Sequence, residues 1–126
     1  MRCLIVDDSS DFVDAARGLL ECQGITVVGA ASTGEDALRH FEELRPDVTL
    51  VDVDLGGESG FDVAEQLHHM GPPAPVILIS IHAVQDFADM IAASPAAGFI
   101  SKSGLTCSAI LDLVGESSGL EEGERR

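Results

Sequence analysis

Two adjacent aspartates, Asp7 and Asp8, directly follow the apolar run CLIV at residues 3–6. Like charges at contact distance repel by roughly 1 to 4 kcal/mol in effective dielectric constants of about 80 to 20. A chain that needed only a turn at this point had less costly choices in Gly, Asn or Ser. The pair is therefore either solvated and without a function, or it faces a cation.

Three further polar residues stand at or just after the ends of other apolar runs. Asp52 follows VTLV, Ser80 follows VILI, and Lys102, the only lysine of the chain, follows GFIS. If a fold gathers these residues beside Asp7 and Asp8, the mutual repulsion of three carboxylates either raises a carboxylate pKa or recruits a cation. Mg²⁺ prefers such hard oxygen ligands and commonly combines one or two carboxylates with a phosphate.

The elements that must position these residues alternate along the chain. Short apolar runs predict β-strands at residues 3–6, 25–30, 48–53, 76–81 and 97–101. Strands that are apolar throughout are typical of a sheet covered on both faces. Apolar residues at helical spacing predict helices in the segments 10–24, 32–46, 59–70, 84–93 and 105–114.

Several residues are predicted to begin or end these helices. Gly24 is a C-terminal stop for the first helix. Ser32 and Glu35 have the spacing of a capping box at the start of the second helix, which ends before Pro46. Ser59 is predicted to cap the third helix.

Strand–helix alternation with short connections predicts an α/β fold, a flavodoxin-like (βα)5 doubly wound parallel sheet with strand order 2-1-3-4-5. In such sheets, ligands bind beyond the carboxyl ends of the strands, where the strand order reverses. Strands one and three are neighbours at that point. The fold therefore brings Asp7, Asp8 and Asp52 together, flanked by Ser80 and Lys102.

Composition limits the class of protein. The chain has 126 residues and a formal net charge of −15, which argues against direct binding to nucleic acid or to an anionic membrane. Its three cysteines are widely spaced and lack a CxxC motif, so we expect neither a disulfide framework nor a zinc site. No apolar run is long enough for a membrane span, and we expect a cytoplasmic protein. Residues 1–115 are predicted to form one domain and residues 116–126 a flexible acidic tail or linker.

Four stretches together resemble the receiver domain of bacterial two-component response regulators. They are LIVDD at 4–8, PDVTLVDVDLGGESG at 46–60, VILIS at 76–80 and GFISK at 98–102. The resemblance covers about residues 2–115. It implies that Asp52 accepts a phosphoryl group from a sensor histidine kinase or a phosphotransfer protein.

The resemblance also implies a role for each residue around Asp52. Asp8 ligates Mg²⁺ directly, Asp7 acts mostly through water, and the backbone carbonyl of Asp54 is a further ligand. Lys102 pairs with one phosphoryl oxygen.

Two more residues resemble the switch of the family. Ser80 donates its hydroxyl to another phosphoryl oxygen, and Phe99 stands at the position of an aromatic side chain that turns inward as Ser80 moves. The fourth helix, the fifth strand and the fifth helix are then expected to form the surface that changes, with homodimerisation on phosphorylation. The stretch FISKSGLTCSAILDLV resembles receivers that precede a helix-turn-helix domain, so we expect regulation of transcription through an output domain outside this chain.

Three positions depart from the common family pattern. Gly56 stands where proline often follows the acceptor strand, and Gly56-Gly57 still permits the turn. Ser103 replaces the proline after the lysine, so the Lys102–Ser103 bond is expected to be trans unless its surroundings hold a strained bond, and Ser103 is a candidate cap for the last helix. Ile81 places bulk where a small residue usually follows the hydroxyl-bearing residue.

Two alternative functions remain open from the sequence. A phosphorylation-independent pseudo-receiver is consistent with the bulk of Ile81 beside the acceptor. The segment DVDLG at 52–56 also resembles the nucleophile motif of Asp-dependent, Mg²⁺-requiring phosphatases, although in those enzymes that motif usually precedes the other acidic residues.

Overall fold

The computed structural model describes residues 1–70, 75–82 and 84–118. For Val84 and for residues 115–118 only the backbone is described. Its five strands form a parallel sheet in the predicted order, β2-β1-β3-β4-β5. The strand bounds are β1 Arg2–Val6, β2 Thr26–Ala31, β3 Val48–Asp52, β4 Val76–Ser80 and β5 Gly98–Ser101. The predicted strands differ from these bounds by one residue at most at either end.

Helices follow the strands in turn. Their bounds are α1 Ser10–Cys22, α2 Gly34–Leu44, α3 Gly60–His69, α4 Ala88–Ala93 and α5 Cys107–Ser118, with short 3-10 helices at Val84–Phe87 and Lys102–Gly104. The structure therefore confirms the predicted flavodoxin-like (βα)5 fold.

The side chains of the central strands alternate between two apolar layers. On one face of the sheet, residues such as Ile5 and Leu50 pack with Leu20 of α1 and Ile110 of α5. On the other face, residues such as Leu4, Val6 and Leu78 pack with apolar residues of α2 and α3. Because both faces are covered, the strands are apolar throughout, and the polar residues at their carboxyl ends stand out from this pattern.

The predicted caps are correct for two helices and wrong for two. Gly24 has a φ of 105° directly after the C-cap of α1, and Ser59 Oγ accepts a hydrogen bond from Phe61 N at the start of α3. The second helix is capped by Thr33, whose Oγ1 accepts from Asp36 N at 3.1 Å, and not by Ser32. Helix α2 starts one residue later than the Ser32–Glu35 box requires, because Thr33 is itself a suitable cap.

The last helix also has a different cap from the predicted one. Thr106 Oγ1 accepts from Ala109 N at 3.0 Å, whereas Ser103 lies in the 3-10 helix and its hydroxyl is 3.1 Å from Ser101 Oγ. The Lys102–Ser103 peptide bond is trans. Helix α5 continues to Ser118 rather than ending at Val114, since a single Gly within a helix costs only about 1 kcal/mol.

The fourth helix is divided, whereas the sequence predicted one helix over residues 84–93. Phe87, with φ −127° and ψ 19°, interrupts the α-helical backbone between the 3-10 helix and α4. Among residues 85–93, only Phe87 and Ile91 are partly buried against the core. So few apolar contacts give little packing energy to hold one continuous α-helix.

Candidate functional site

The acidic pair lies at the carboxyl end of β1, at the start of α1. Asp7 is 3% exposed, and its Oδ1 accepts a hydrogen bond from Ser9 N at 2.8 Å. Ser9 in turn caps α1, since its Oγ accepts from Phe12 N at 3.2 Å. Asp8 is exposed and points toward the loop that follows β3. One capping turn therefore holds a buried and an exposed carboxylate side by side.

Asp52 lies at the carboxyl end of β3, next to β1 in the sheet, and is 7% exposed. Its Oδ1 accepts a hydrogen bond from Asp54 N at 3.0 Å. One carboxylate oxygen each from Asp7, Asp8 and Asp52 lies within 4.8 Å of the other two. The structure thus brings together the three predicted carboxylates, in a number and chemistry that fit a hard divalent cation such as Mg²⁺.

Lys102, at the end of β5, reaches into this cluster. Its Nζ lies 2.7 Å from Asp7 Oδ2 and 2.9 Å from Asp52 Oδ2, and only 13% of its side chain is exposed. Burial lowers the lysine pKa, but the hydrogen bonds and charges of Asp7 and Asp52 outweigh it, so the pKa of Lys102 is raised. The pKa of Asp7 is also raised, because its own burial outweighs the stabilisation by Lys102 and Ser9. The lysine is therefore held as a cation between the two carboxylates.

Asp8, Asp52 and Lys102 line an open pocket of about 190 Å³ at the carboxyl end of the sheet, whereas Asp7 is not in its lining. Ser80, 2% exposed at the end of β4, contributes its hydroxyl, whose oxygen accepts from His82 N at 3.0 Å. Ile81 is 77% exposed at the rim. The residues that line the pocket are Asp8, Asp52, Asp54, Gly56, Ser80, Ile81, His82 and Lys102.

Asp54 lies in this lining, and its carboxylate Oδ1 accepts a hydrogen bond from Gly56 N at 3.1 Å. The role of its backbone carbonyl as a cation ligand stays a prediction. Phe99, the predicted switch residue, is not in the pocket lining. It lies half-buried on β5, with its ring centroid 6.3 Å from that of Phe87, which also contacts Phe61 and His82.

One contact of the site was not predicted from the sequence. The ring of Phe12, in the first turn of α1, lies under Lys102, with Nζ 4.3 Å from the ring centroid. From the sequence, Phe12 is only one of the apolar residues at helical spacing in the segment 10–24. The sequence held no signal for the contact, because Phe12 and Lys102 are 90 residues apart and only the tertiary fold brings them together.

Comparison with known proteins agrees with this geometry. Residues 3–112 match the family model of the response regulator receiver domain. The response regulator GacA of Pseudomonas aeruginosa is 34% identical over 104 residues, which are 81% of this chain and 48% of that protein. The DNA-binding transcriptional activator EvgA of Escherichia coli is 30% identical over 102 residues, or 81% of this chain and 50% of that protein. The chain spans about half the length of these curated relatives.

Solved structures show the same fold. The signal receiver domain of a NarL protein from Mycobacterium tuberculosis superposes with a TM-score of 0.80 at 31% identity, covering 90% of this chain and 94% of the other. A two-component response regulator of the LuxR family from Aurantimonas has a TM-score of 0.83 at 25% identity, covering 91% and 85%. None of the described helices is long and apolar enough to cross a membrane. The chain belongs to the receiver-domain family of two-component response regulators.

Proposed function

We propose that this receiver domain accepts a phosphoryl group on Asp52 from a sensor histidine kinase or a phosphotransfer protein, with Mg²⁺ bound beside Asp7 and Asp8. The observation that carries the proposal is the environment of Asp52. Its Oδ2 lies 2.9 Å from Lys102 Nζ in an open pocket, and carboxylate oxygens of Asp7 and Asp8 lie within 4.8 Å. Asp52 is thus a nucleophile beside a fixed cation and a set of oxygen ligands.

In the transfer step, a carboxylate oxygen of Asp52 attacks the phosphorus atom of a phosphorylated imidazole. The new P–O bond forms as the P–N bond breaks, and the electron pair of that bond stays on the donor nitrogen. Lys102 pairs with one phosphoryl oxygen. Ser80 Oγ already accepts a hydrogen bond from His82 N, so its own hydrogen is available to donate to another phosphoryl oxygen.

Asp7, Asp8 and the backbone carbonyl of Asp54 would hold Mg²⁺, which would screen the negative charges of the attacking and transferred oxygens. The acceptor and metal-site roles are supported by the three carboxylates, whose mutual repulsion a divalent cation relieves.

The phosphoryl group then adds roughly 1.5 to 2 negative charges and strong acceptor oxygens to the pocket. Ser80 is drawn toward those oxygens, and Phe99 turns inward into the space this leaves. The surface formed by α4, β5 and α5 changes as a consequence and mediates homodimerisation. Regulation of transcription through a DNA-binding output domain is supported by the relative EvgA, a DNA-binding transcriptional activator.

Ile81 bears on the pseudo-receiver alternative. Its side chain is 77% exposed at the rim of the pocket rather than packed over Asp52. An exposed rim residue leaves the acceptor within reach of a small phosphodonor. This observation favours phosphorylation over a receiver that works without it.

The test is the intact mass of the protein after incubation with acetyl phosphate, with and without Mg²⁺. We expect one Mg²⁺-dependent phosphoryl adduct per chain, absent from Asp52→Asn. Asp14→Asn, which removes an exposed carboxylate of α1 outside the pocket, is the matched control and keeps the adduct. A folded protein without an adduct supports the pseudo-receiver, and repeated release of phosphate from an ester substrate supports the phosphatase.

A further inference from the structure

We propose that Phe12 is a positioning residue that holds the Lys102 ammonium group in the phosphoryl-binding pocket through a cation–π contact with its ring. The inference rests on the proposed phosphorylation of Asp52 and adds to it a residue outside the acidic cluster. The Nζ atom of Lys102 lies 4.3 Å from the centroid of the Phe12 ring, within the distance of about 6 Å at which such contacts are attractive.

The geometry around the ammonium group leaves a place for the ring. An ammonium group has three N–H donors, and here two carboxylates, from Asp7 and Asp52, lie at 2.7 and 2.9 Å. The aromatic face is the third neighbour of the nitrogen, and a partly desolvated ammonium gains more from such a face than an exposed one. With 13% of its side chain exposed, Lys102 is in that partly desolvated state.

The backbone at Phe12 is fixed by the same turn that holds the acidic pair. Ser9 N donates to Asp7 Oδ1, and Ser9 Oγ accepts from Phe12 N at 3.2 Å. The ring is half-buried and packs against the core layer between the sheet and helices α1 and α5. Phe12 is therefore held on a rigid helix, at a set distance from Asp7 and from the lysine that pairs with it.

A neutral aromatic partner restrains the lysine side chain even when the charges around it change, which the carboxylates do not. When Asp52 becomes an acyl phosphate, its carboxylate charge is replaced by that of the phosphoryl oxygens, and the ion pairs of Lys102 must be rearranged. The attraction of the ring does not depend on that chemistry, so it restrains the flexible lysine side chain during transfer, while its ion pairs are being exchanged. A leucine fills similar space but supplies no such attraction.

The test uses the fact that Lys102 is the only lysine. Protein labelled with carbon-13 at lysine gives a single set of side-chain signals, and the ring should shift the Lys102 Hε protons upfield. Phe12→Leu should remove that shift and slow phosphorylation by acetyl phosphate by about 2- to 30-fold, the range expected from losing one such contact.

A second series separates the electrostatic contact from packing. Phenylalanine carrying one, two or three fluorine atoms is placed at position 12, which keeps the ring shape while withdrawing charge from its face. The phosphorylation rate should fall with each fluorine, with thermal stability nearly unchanged. The same series at Phe41, a buried residue of α2 in the core layer on the other face of the sheet, is the matched control and should show no trend.

The outcomes distinguish the two proposals. A phosphorylation rate that is indifferent to fluorination at position 12, or a Lys102 signal without an upfield shift, overturns the role of Phe12 and leaves the acceptor assignment in place. Absence of phosphorylation in the unsubstituted protein overturns the proposed function and the role of Phe12 with it.

Discussion

Gly56 lies directly against the Asp8 carboxylate. A Cβ atom built on Gly56 would be 2.7 Å from Asp8 Oδ2, and the residue has a φ of 67°. Proline, which often occupies this position in the family, is fixed near a φ of −65° and cannot adopt this conformation. The loop after β3 therefore approaches the exposed carboxylate of the pocket closely only because position 56 is a glycine.

We expect Gly56→Ala to weaken Mg²⁺ binding by about tenfold, because the added methyl group displaces the Asp8 carboxylate. The substitution should also cost about 1 to 2 kcal/mol of stability, since a side chain is strained at positive φ. Gly57→Ala is the matched control: its φ is 109°, but its Cβ would meet no atom within 4 Å. Mg²⁺ titration and urea unfolding of both variants check this. Equal losses of Mg²⁺ affinity would show that strain in the loop, and not contact with Asp8, is responsible.

Removing the charge of Lys102 should destabilise the metal-free protein. Lys102→Met leaves Asp7 and Asp52 close together without their counter-ion. We expect a loss of about 2 kcal/mol, less than the 3 to 5 kcal/mol typical of a fully buried pair, because Asp52 lines a pocket that is open to water, although Asp7 is buried. Added Mg²⁺ should recover much of the loss and should bind the variant more tightly than the unsubstituted protein, since it replaces the missing positive charge.

The measurement is the free energy of unfolding of Lys102→Met with and without Mg²⁺. Lys102→Arg keeps the positive charge and should retain most of the metal-free stability. If Mg²⁺ raised the stability of the variant and of the unsubstituted protein equally, the lysine and the cation would not share the same carboxylates.

Replacing Ile81 should change kinetics and leave stability nearly unaltered. Because its side chain is 77% exposed, Ile81→Ala should alter the free energy of unfolding by less than about 0.5 kcal/mol. Opening the rim should speed both phosphorylation by acetyl phosphate and hydrolysis of the acyl phosphate several-fold. Met90→Ala, at an exposed residue of α4 outside the pocket lining, is the control. Unchanged rates in Ile81→Ala would mean that access across the rim does not limit either reaction.

The fold could be predicted from the sequence because the alternation of apolar strands and helices is a local pattern. The position of the polar residues at the strand ends then follows from that fold. Continuous apolar strands specify a covered sheet, and the parallel order then places Asp7, Asp8 and Asp52 at one edge. Cap positions were less predictable. Ser32 and Thr33 are adjacent and chemically similar, and the local pattern does not distinguish them, although it is Thr33 that accepts the hydrogen bond.

Features that depend on tertiary packing could not be predicted. The break at Phe87 arises where its ring lies among Phe61, Phe99 and His82, which are distant in sequence or on other elements. The contact of Phe12 with Lys102 joins residues from the first helix and the last strand end. The helical pattern predicts that Phe12 faces the core, but it does not indicate which charged group contacts its ring.

The buried thiol of Cys3 predicts a loss of stability at alkaline pH. Burial in the core, with a smaller contribution from nearby Cys107, raises the pKa of Cys3 from 9.0 to about 12. Below pH 9 the thiol is neutral in both the folded and the unfolded state. Between pH 9 and 12 the unfolded chain loses this proton while the folded protein keeps it, so stability falls by up to about 4 kcal/mol as the pH rises.

Cys3→Ala should reduce this pH dependence, whereas Cys22→Ser, at an exposed cysteine, should leave it unchanged. The measurement is the free energy of urea unfolding of each protein at pH 8 and at pH 11. Lys102 also contributes to the alkaline loss, because its raised pKa means that stability is lost as it deprotonates. The Cys3 contribution is therefore the difference between the slopes of the unsubstituted protein and of Cys3→Ala. Identical slopes would mean that the Cys3 thiol ionises as readily in the folded protein as in the unfolded chain.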